Sequence, residues 1–317
     1  MFNKCRIVLF LIIAILYDTG VLAQEFVLKF PVDCQLNHDC YIFHYVDRDP
    51  TSGFADFKGG RLTYDGHKGT DIAVKTYEQM RQRIAVLAAA DGVVLRIRDG
   101  EIDNYRNQGT IVKGRECGNG LILLHKRGYK SQYCHLLNNS IVVKPGEKVF
   151  TGQVLGFLGS SGKADFPHLH FALYLNDHIV DPFDPNLWNP PVAYKPLGLI
   201  DMGLHNRNLE LHDVLDIPPR RHMFSWHDSK IVVWVRVYGV LKGDVQRFIF
   251  YQPNGQIYHS PIERTIEKSY KEYFAFLGFK IKGKFKSLLK GKWKAVYQLK
   301  RSSNPWKILG EKTFFIK

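Results

Sequence analysis

The chain of 317 residues is longer than a single hydrophobic core usually holds, so its length predicts two domains. Its 45% hydrophobic and 23% charged residues exclude wholesale disorder, collagen and a polytopic membrane protein. The 21 Phe, 16 Tyr and 5 Trp favour β structure. The formal net charge of +14 calls for a functional explanation, because folding does not require it.

The first 23 residues have the pattern of a secretory signal peptide. Basic residues precede an apolar run over 7–16, and small residues end the segment at Ala23. The run is about half of the ~20 residues that a membrane-spanning helix needs, which argues against an uncleaved anchor. A lipid anchor would need a cysteine at the cleavage site, whereas Cys5 precedes the run. We expect cleavage after Ala23 and an exported protein in the periplasm or the extracellular envelope.

Four cysteines remain after the signal segment, and an even number in an exported chain suggests two disulfides. Three connectivities are possible, and we favour the two local pairs, Cys34–Cys40 and Cys117–Cys134. The second pair straddles a predicted hairpin, and closing a loop of this size stabilises the fold by about 3 kcal/mol through the unfolded state. A cysteine metal cluster is disfavoured because the spacings lack a Cys-x-x-Cys pair.

Short apolar runs separated by Gly, Asp and Asn predict β-strands throughout the first half of the chain. The predicted strands cover 85–89, 93–97, 120–125 and 168–175, and 77–83 has the pattern of a helical turn. We expect residues 24–60 to form an N-terminal extension that packs on this β core.

The residue types that could carry chemistry also lie in the first half. His67 and Asp71 are four residues apart among glycines. His168 and His170 are two apart on a predicted strand and so share one face, and His135 ends the predicted hairpin. Two imidazoles and one carboxylate from this group could bind zinc and leave a fourth position for water. Taken singly, each could be a packed or turn-capping side chain, and we interpret the other histidines as surface or structural residues, among them His38, His44, His125, His178, His205 and His259.

Four ordered motifs resemble those of the lysostaphin/LytM-type zinc metallopeptidases. They are His67-x-x-x-Asp71, Tyr133-x-His135-Leu136, the Pro-Gly turn segment Val143–Gly156, and Pro167–Phe171. The match runs from about residue 65 to residue 182, so the C-terminal half lies outside it. The resemblance implies an antiparallel β core with an open groove, and endopeptidase activity on the peptide stems of peptidoglycan.

The resemblance also implies roles for individual residues. One zinc ion (Zn2+) per chain would be bound by His67, Asp71 and His170, with His135 and His168 as uncoordinated catalytic histidines. All five are present, unlike in degenerate family members that have lost ligands and act as amidase activators. The chain has no His-Glu-x-x-His motif, so the glutamate base of that metalloprotease class is absent. Which histidine acts as the general base stays open.

Two other classes of function share features of this sequence. A non-catalytic envelope regulator could use the same groove to bind and activate a cell-wall hydrolase, but the intact ligand set counts against it. A lipoyl- or biotinyl-type carrier domain has a similar pattern to Val143–Gln153 because both folds need a glycine-turned hairpin. A carrier domain would have a modifiable lysine at the hairpin tip and would lack a zinc-binding triad. The carrier interpretation is therefore less favoured than the metallopeptidase one.

Charge divides the chain near the proline pair of Trp188–Pro191. Residues 24–190 hold 19 basic and 19 acidic residues, whereas residues 191–317 hold 23 basic and 10 acidic ones. We therefore predict a zinc metallopeptidase domain over 61–190 and a smaller, basic domain over 191–317. Short strands predicted in the second part suggest an immunoglobulin-like β-sandwich, with strands at 231–238, 247–251, 256–259, 293–299 and 313–316.

The densest basic segment, 280–301, contains nine basic residues and no acidic one. In a strand, alternate lysines would line one face, with Ile281 and Phe285 facing inward. One interpretation is a solvated sandwich face. The other is a surface that binds an anionic envelope polymer or membrane, whereas nucleic acid is not expected as a partner of an exported protein. We call the following residues the basic stripe: Lys280, Lys282, Lys284, Lys286 and Lys290.

Overall fold

The computed structural model describes residues 25–104, 113–225, 227–281 and 290–317. Within these ranges the chain forms eighteen β-strands, one short α-helix and two 3-10 turns, so the mainly β class is confirmed. The predicted signal segment lies outside the described residues. No helix in the described part of the chain is long and apolar enough to cross a membrane.

An eight-stranded antiparallel sheet is the centre of the first half. The strands of this half are β1 (Cys40–His44), β2 (Thr70–Val74), β3 (Ala85–Leu87), β4 (Gly92–Arg98), β5 (Asn119–Leu124), β6 (Tyr129–Leu136), β7 (Lys148–Val149), β8 (Val154–Phe157), β9 (His168–Leu175) and β10 (His178–Val180). The large sheet has the spatial order β1-β2-β9-β6-β5-β4-β7, with β10 beside β9, while β3 and β8 pair separately. The predicted helical turn is α1 (Tyr77–Arg81), which begins after Thr76, whose hydroxyl accepts a hydrogen bond from the Gln79 amide.

The predicted hairpin is formed by β5 and β6, and it turns through positive φ angles at Arg127 and Gly128. The strands β1 and β2 were not predicted from the sequence. Every residue in both strands is buried, so neither shows the alternation that identifies a strand with one solvated face.

One hydrophobic cluster fills the first half. The segment before β1 contributes Phe26, Leu28 and Val32 to this cluster, and Trp188 lies in the same cluster beside Leu28. This packing anchors residues before and after the histidine motifs on one core. Both favoured disulfides are present in the structure, Cys34–Cys40 and Cys117–Cys134.

Two sheets share a second hydrophobic cluster around Trp293 in the C-terminal half, as in a β-sandwich. The strands are β11 (Gly198–His205), β12 (Met223–Phe224), β13 (Lys230–Val240), β14 (Val245–Tyr251), β15 (Arg264–Thr265), β16 (Tyr270–Lys280), β17 (Gly291–Lys300) and β18 (Lys307–Ile316). The sheet orders are β11-β13-β16 and β12-β18-β17-β14-β15. The immunoglobulin-like topology stays a prediction.

The strand predicted at 256–259 was wrong. In this described segment Ile257 makes one isolated bridge to Tyr251. Ile257 is largely exposed, so little burial supports a longer pairing there. The strand β16 ends at Lys280, and Ile281 is buried just beyond it. Of the basic stripe, two lysines are described and exposed, and three lie outside the described residues: Lys282, Lys284 and Lys286.

The sandwich packs against the sheet of the first half. The Arg236 guanidinium is buried, donates a hydrogen bond to the backbone carbonyl of Lys75, and pairs with Glu272. The rings of Tyr41 and Tyr238 stack across the same contact with centroids 5.4 Å apart. Because Lys75 directly follows β2, the C-terminal half touches the strand that carries Asp71.

Candidate metal centre

Three neighbouring strands place a row of polar side chains on one face of the large sheet. Asp71 on β2 is in register with His44 on β1 and with His170 on β9. Its Oδ1 lies 2.8 Å from Nδ1 of His170, and its Oδ2 lies 2.8 Å from Nδ1 of His44. Directly opposed residues on adjacent strands share a face, so the register itself brings these groups together.

His67 reaches this row from the loop before β2. Its Nδ1 lies 2.7 Å from the backbone oxygen of Tyr45, and its Nε2 lies 3.2 Å from both Oδ1 of Asp71 and Nδ1 of His170. A hydrogen bond from Nδ1 to a carbonyl fixes the tautomer and leaves the Nε2 lone pair facing the site. Gly69 makes room here, since a Cβ at this position would lie 2.7 Å from the His170 ring.

The chemistry of this donor set fits a zinc ion. The nearest donor atoms of His67, Asp71 and His170 are 2.8 to 3.2 Å apart. Ligand atoms at ~2.0–2.1 Å from a tetrahedral zinc ion lie about 3.3 Å from one another, which is close to this spacing. Nε2 of His67 also faces a carboxylate oxygen, so both atoms could coordinate one cation bound between them. Among the described residues, these three form a group that could hold a metal ion.

The electrostatics of the site favour an ionised carboxylate. Burial opposes ionisation of Asp71, but the imidazoles of His67 and His168 and hydrogen bonds from His170 and His44 hold its pKa well below the usual range. Burial alone would lower the pKa of His67, yet the Asp71 carboxylate outweighs it and raises that pKa. The anionic oxygen required of a metal ligand is therefore present at neutral pH.

His168 and His135 line the same site without belonging to the donor group. Nε2 of His168 lies 3.7 Å from Oδ1 of Asp71, beyond hydrogen-bond distance. The His135 and His168 rings are 4.6 Å apart between centroids. Nδ1 of His168 lies 2.8 Å from the Phe166 carbonyl oxygen, and Nδ1 of His135 lies 2.7 Å from the Ser161 carbonyl oxygen. Both rings therefore turn Nε2 away from these backbone partners.

The backbone of His135 is held in an unusual conformation. Its φ is 63°, in the left-handed region, which costs a residue with a Cβ about 1–2 kcal/mol. It lies in a bulge where Cys134 and His135 together oppose Gly120, and a Cβ on Gly120 would lie 2.3 Å from the Tyr133 carbonyl oxygen. The disulfide from Cys134 and the hydrogen bond from the His135 amide to the Cys117 carbonyl hold this bulge.

Burial favours the neutral form of both of these histidines. Burial lowers the pKa of His168. Burial and the neighbouring imidazoles of His168 and His170 hold the pKa of His135 well below its usual value. A neutral imidazole whose Nδ1–H is already donated can accept a proton at Nε2.

The structure brings all five predicted site residues together and adds His44, for which the sequence left a surface or a structural role open. The surface role was wrong, because His44 is buried against the Asp71 carboxylate. A signal was present in the sequence: residues 40–44 are an apolar run ending in histidine, which is typical of a strand buried on both faces.

Residues 65–182 match peptidase family M23, so this part of the chain is an M23 peptidase domain and the resemblance to the lysostaphin/LytM-type enzymes is confirmed. Over 121 residues, 38% of the chain, it is 31% identical to the peptidoglycan DD-endopeptidase ShyA of Vibrio cholerae serotype O1, covering 23% of that protein. It is also 31% identical over 133 residues to the DD-carboxypeptidase/endopeptidase Mpg of Neisseria meningitidis serogroup B. That match covers 41% of this chain and 25% of the Neisseria protein. The chain thus spans about a quarter of the length of these curated relatives.

Solved structures with similar regions include a zinc-containing peptidase from Vibrio cholerae, with 29% identity and a TM-score of 0.29. This match covers 44% of this chain and 38% of the Vibrio peptidase. The catalytic domain of lysostaphin from Staphylococcus simulans has 25% identity and a TM-score of 0.29, with coverage of 45% of this chain and 92% of that domain.

Proposed function

We propose that this protein is an exported zinc endopeptidase that hydrolyses the peptide cross-links of bacterial peptidoglycan. One observation carries the proposal: a complete His-Asp-His donor group lies beside two further buried, neutral histidines within an M23 peptidase domain. A binding protein needs the groove but has no use for this complete set of reactive groups. The names of the curated relatives support peptidoglycan as the substrate class.

His67, Asp71 and His170 would hold one zinc ion per chain. A bound zinc ion polarises a scissile carbonyl and lowers the pKa of a coordinated water toward ~7. Asp71 is kept ionised by its imidazole partners, and His44 holds the carboxylate oxygen that does not face the other two ligands. The His170 side chain is the most exposed of the three at 18%, so substrate would approach from this side.

His168 and His135 perform the proton transfers in this proposal. One of the two accepts a proton at Nε2 from the attacking water and, as the imidazolium, passes that proton to the leaving amine. The other donates a hydrogen bond to the tetrahedral oxyanion once its own Nε2 carries a proton. The backbone carbonyls of Phe166 and Ser161 keep both rings in the required tautomer. A donor placed at a developing oxyanion contributes about 3–4 kcal/mol to the transition state, so either histidine should matter greatly.

The decisive experiment uses purified cell-wall sacculi, incubated with the full-length protein with and without chelator, followed by muropeptide analysis. We expect cross-linked muropeptides to disappear with the wild type and to persist with chelator or with Asp71→Ala. If sacculi stay intact while the protein stimulates a separate cell-wall hydrolase, the non-catalytic regulator is correct instead.

The remaining parts of the chain have accessory roles in this proposal. Residues 24–60 complete the core of the catalytic unit over 61–190, and residues 191–317 form a basic accessory domain. We further propose that the basic stripe holds the enzyme to an anionic envelope polymer or membrane surface.

A further inference from the structure

A lysine from the C-terminal sandwich reaches the rim of the candidate metal centre. Lys271, near the start of β16, places Nζ 4.7 Å from the centroid of the Tyr64 ring. The Tyr64 ring lies in turn 4.5 Å from the ring of His67. The Asp71 carboxylate also acts on Lys271: burial lowers the pKa of the lysine, and Asp71 partly offsets that effect. The second half of the chain therefore contributes a positive charge next to the site.

A second cation from the first half stands beside Lys271. The Arg61 guanidinium carbon is 4.8 Å from the centroid of the Phe54 ring, and Nζ of Lys271 is 5.7 Å from the same centroid. Within the described parts of the chain, neither cation has a carboxylate at ion-pair distance. The two like charges repel each other, and among the described residues no side chain or backbone group accepts a hydrogen bond from either. An anion bound between the two cations would screen their repulsion and accept hydrogen bonds from both.

At this point a cavity of about 460 Å³ is lined by residues of both halves of the protein. Its volume is within the range of ligand-binding cavities. Lys271 and Arg61 line it together with Phe54, and Arg301 lines it as well but is already paired with Asp244. Asp56, a buried carboxylate beside the lining residue Gly60, accepts hydrogen bonds from Tyr194 and from the backbone amides of its own turn. The two unpaired cations thus remain available to a ligand.

We propose that this interdomain cavity is a substrate subsite that binds a free carboxylate of the cell-wall peptide through Lys271 and Arg61. The proposal rests on the proposed peptidase function and extends it, because it makes the C-terminal half part of the substrate site. A peptide carboxylate is favoured over a separate polyanion because Lys271 lies against the Tyr64 ring, which in turn lies against His67, so the cavity borders the metal centre where the scissile peptide bond would lie.

The test compares two versions of one cross-linked peptidoglycan peptide, one with free carboxylates and one with these converted to carboxamides. Binding is measured calorimetrically on the full-length protein with chelator present, so that the peptide is not cleaved. We expect the wild type to bind the carboxylate form at least about tenfold more tightly, the gain typical of a charge-assisted hydrogen bond in a partly buried site. Lys271→Gln should abolish the preference, and Lys271→Arg should retain most of it.

Lys294→Gln is the matched control, because Lys294 also lies over a tyrosine ring in the C-terminal half, 5.1 Å from the Tyr251 centroid, but does not line the cavity. It should keep the full preference. In turnover assays without chelator, Lys271→Gln should raise KM for the carboxylate peptide about tenfold with little change in kcat.

Equal binding of the two peptides by the wild type, or a preference that survives in the Lys271→Gln, Arg61→Gln double variant, would overturn the subsite even if hydrolysis is intact. Conversely, if the wild type prefers the carboxylate peptide but cleaves neither peptide, the proposed subsite would be supported and the proposed peptidase function would be refuted.

Discussion

Nδ1 of His44 lies 2.8 Å from Oδ2 of Asp71, so a buried imidazole holds the carboxylate oxygen that does not face His67 and His170. Burial lowers the pKa of His44 to about 4, which makes it a neutral donor in the ordinary pH range. Its Nε2 is buried without a hydrogen-bond partner in the described structure, so the bond to Asp71 is the polar contact that fixes the ring.

The contact predicts that His44 tunes metal affinity without touching the metal. His44→Ala should weaken zinc binding about 10- to 100-fold, the usual cost of removing a group that orients a metal ligand. Competition with a chromophoric chelator measures this affinity directly. His38→Ala is a suitable control, since His38 is an exposed histidine of the same N-terminal segment and should bind zinc as the wild type does. Unchanged affinity in His44→Ala would show that the Asp71 carboxylate needs no such support.

The two groups of site residues should separate experimentally. Replacing His67, Asp71 or His170 with Ala should abolish stoichiometric zinc, because two protein ligands bind the ion much more weakly than three. His135→Ala and His168→Ala should keep zinc and lose about 10²–10³-fold in kcat, as for other oxyanion donors. Elemental analysis and muropeptide assays on the same preparations give both quantities. Full zinc occupancy in Asp71→Ala would refute the ligand assignment.

The sequence predicted which residues lie together at the candidate site better than it predicted the sheet around them, for a physical reason. His168 and His170 are close in sequence, and strand alternation alone puts them on one face. The role of His44 depends on pairing between β1 and β2, which are separated by a long loop and buried on both faces. Neither local strand propensity nor hydrophobic alternation predicts which distant strand β1 pairs with, and that pairing places His44 against Asp71. Lys271 was missed for the same reason, because its position depends on how the two halves pack.

The Cys117–Cys134 disulfide should support activity more than metal binding. Its second cysteine precedes His135, whose left-handed backbone lies in the bulge that the disulfide closes. A Cys117→Ser, Cys134→Ser double variant should therefore retain zinc but lose much of its hydrolytic rate, since His135 would no longer be held in position. The Cys34→Ser, Cys40→Ser pair, which is remote from His135 in sequence, serves as the control and should keep more of the rate. Equal losses in both pairs would point to a general effect on folding.

Asp181 should make stability depend on pH. Burial raises its pKa to about 6, and its Oδ2 has no hydrogen-bond partner within the described structure. The folded state therefore binds the proton more tightly than the unfolded state, whose pKa is near 3.8, so this residue's contribution to stability is lost as pH rises from 4 to 6.

Asp181→Asn should remove that dependence. The free energy of unfolding of the variant, relative to wild type, should rise between pH 4 and 6 and level off above, by about 3 kcal/mol at most. Urea titrations at several pH values measure this difference. A difference that stays constant across the window would show that the Asp181 carboxyl is not protonated in the folded protein.

The basic stripe makes the last prediction. Lys280 and Lys290 are exposed at the two ends of a segment whose middle lies outside the described residues, and acidic residues are absent from the sequence between them. If the stripe holds the enzyme to an anionic surface, binding of the full-length protein to sacculi or anionic vesicles should weaken steeply with salt, because exposed charges act over a Debye length of only ~10 Å at 0.1 M salt.

Changing Lys282, Lys284, Lys286 and Lys290 together to Gln should reduce that binding and raise the apparent KM for sacculi. Cleavage of a short soluble peptide should be unaffected, because none of these lysines belongs to the site around Asp71. Salt-independent binding, or a quadruple variant that binds as the wild type does, would leave the stripe as a solvated face of the sandwich.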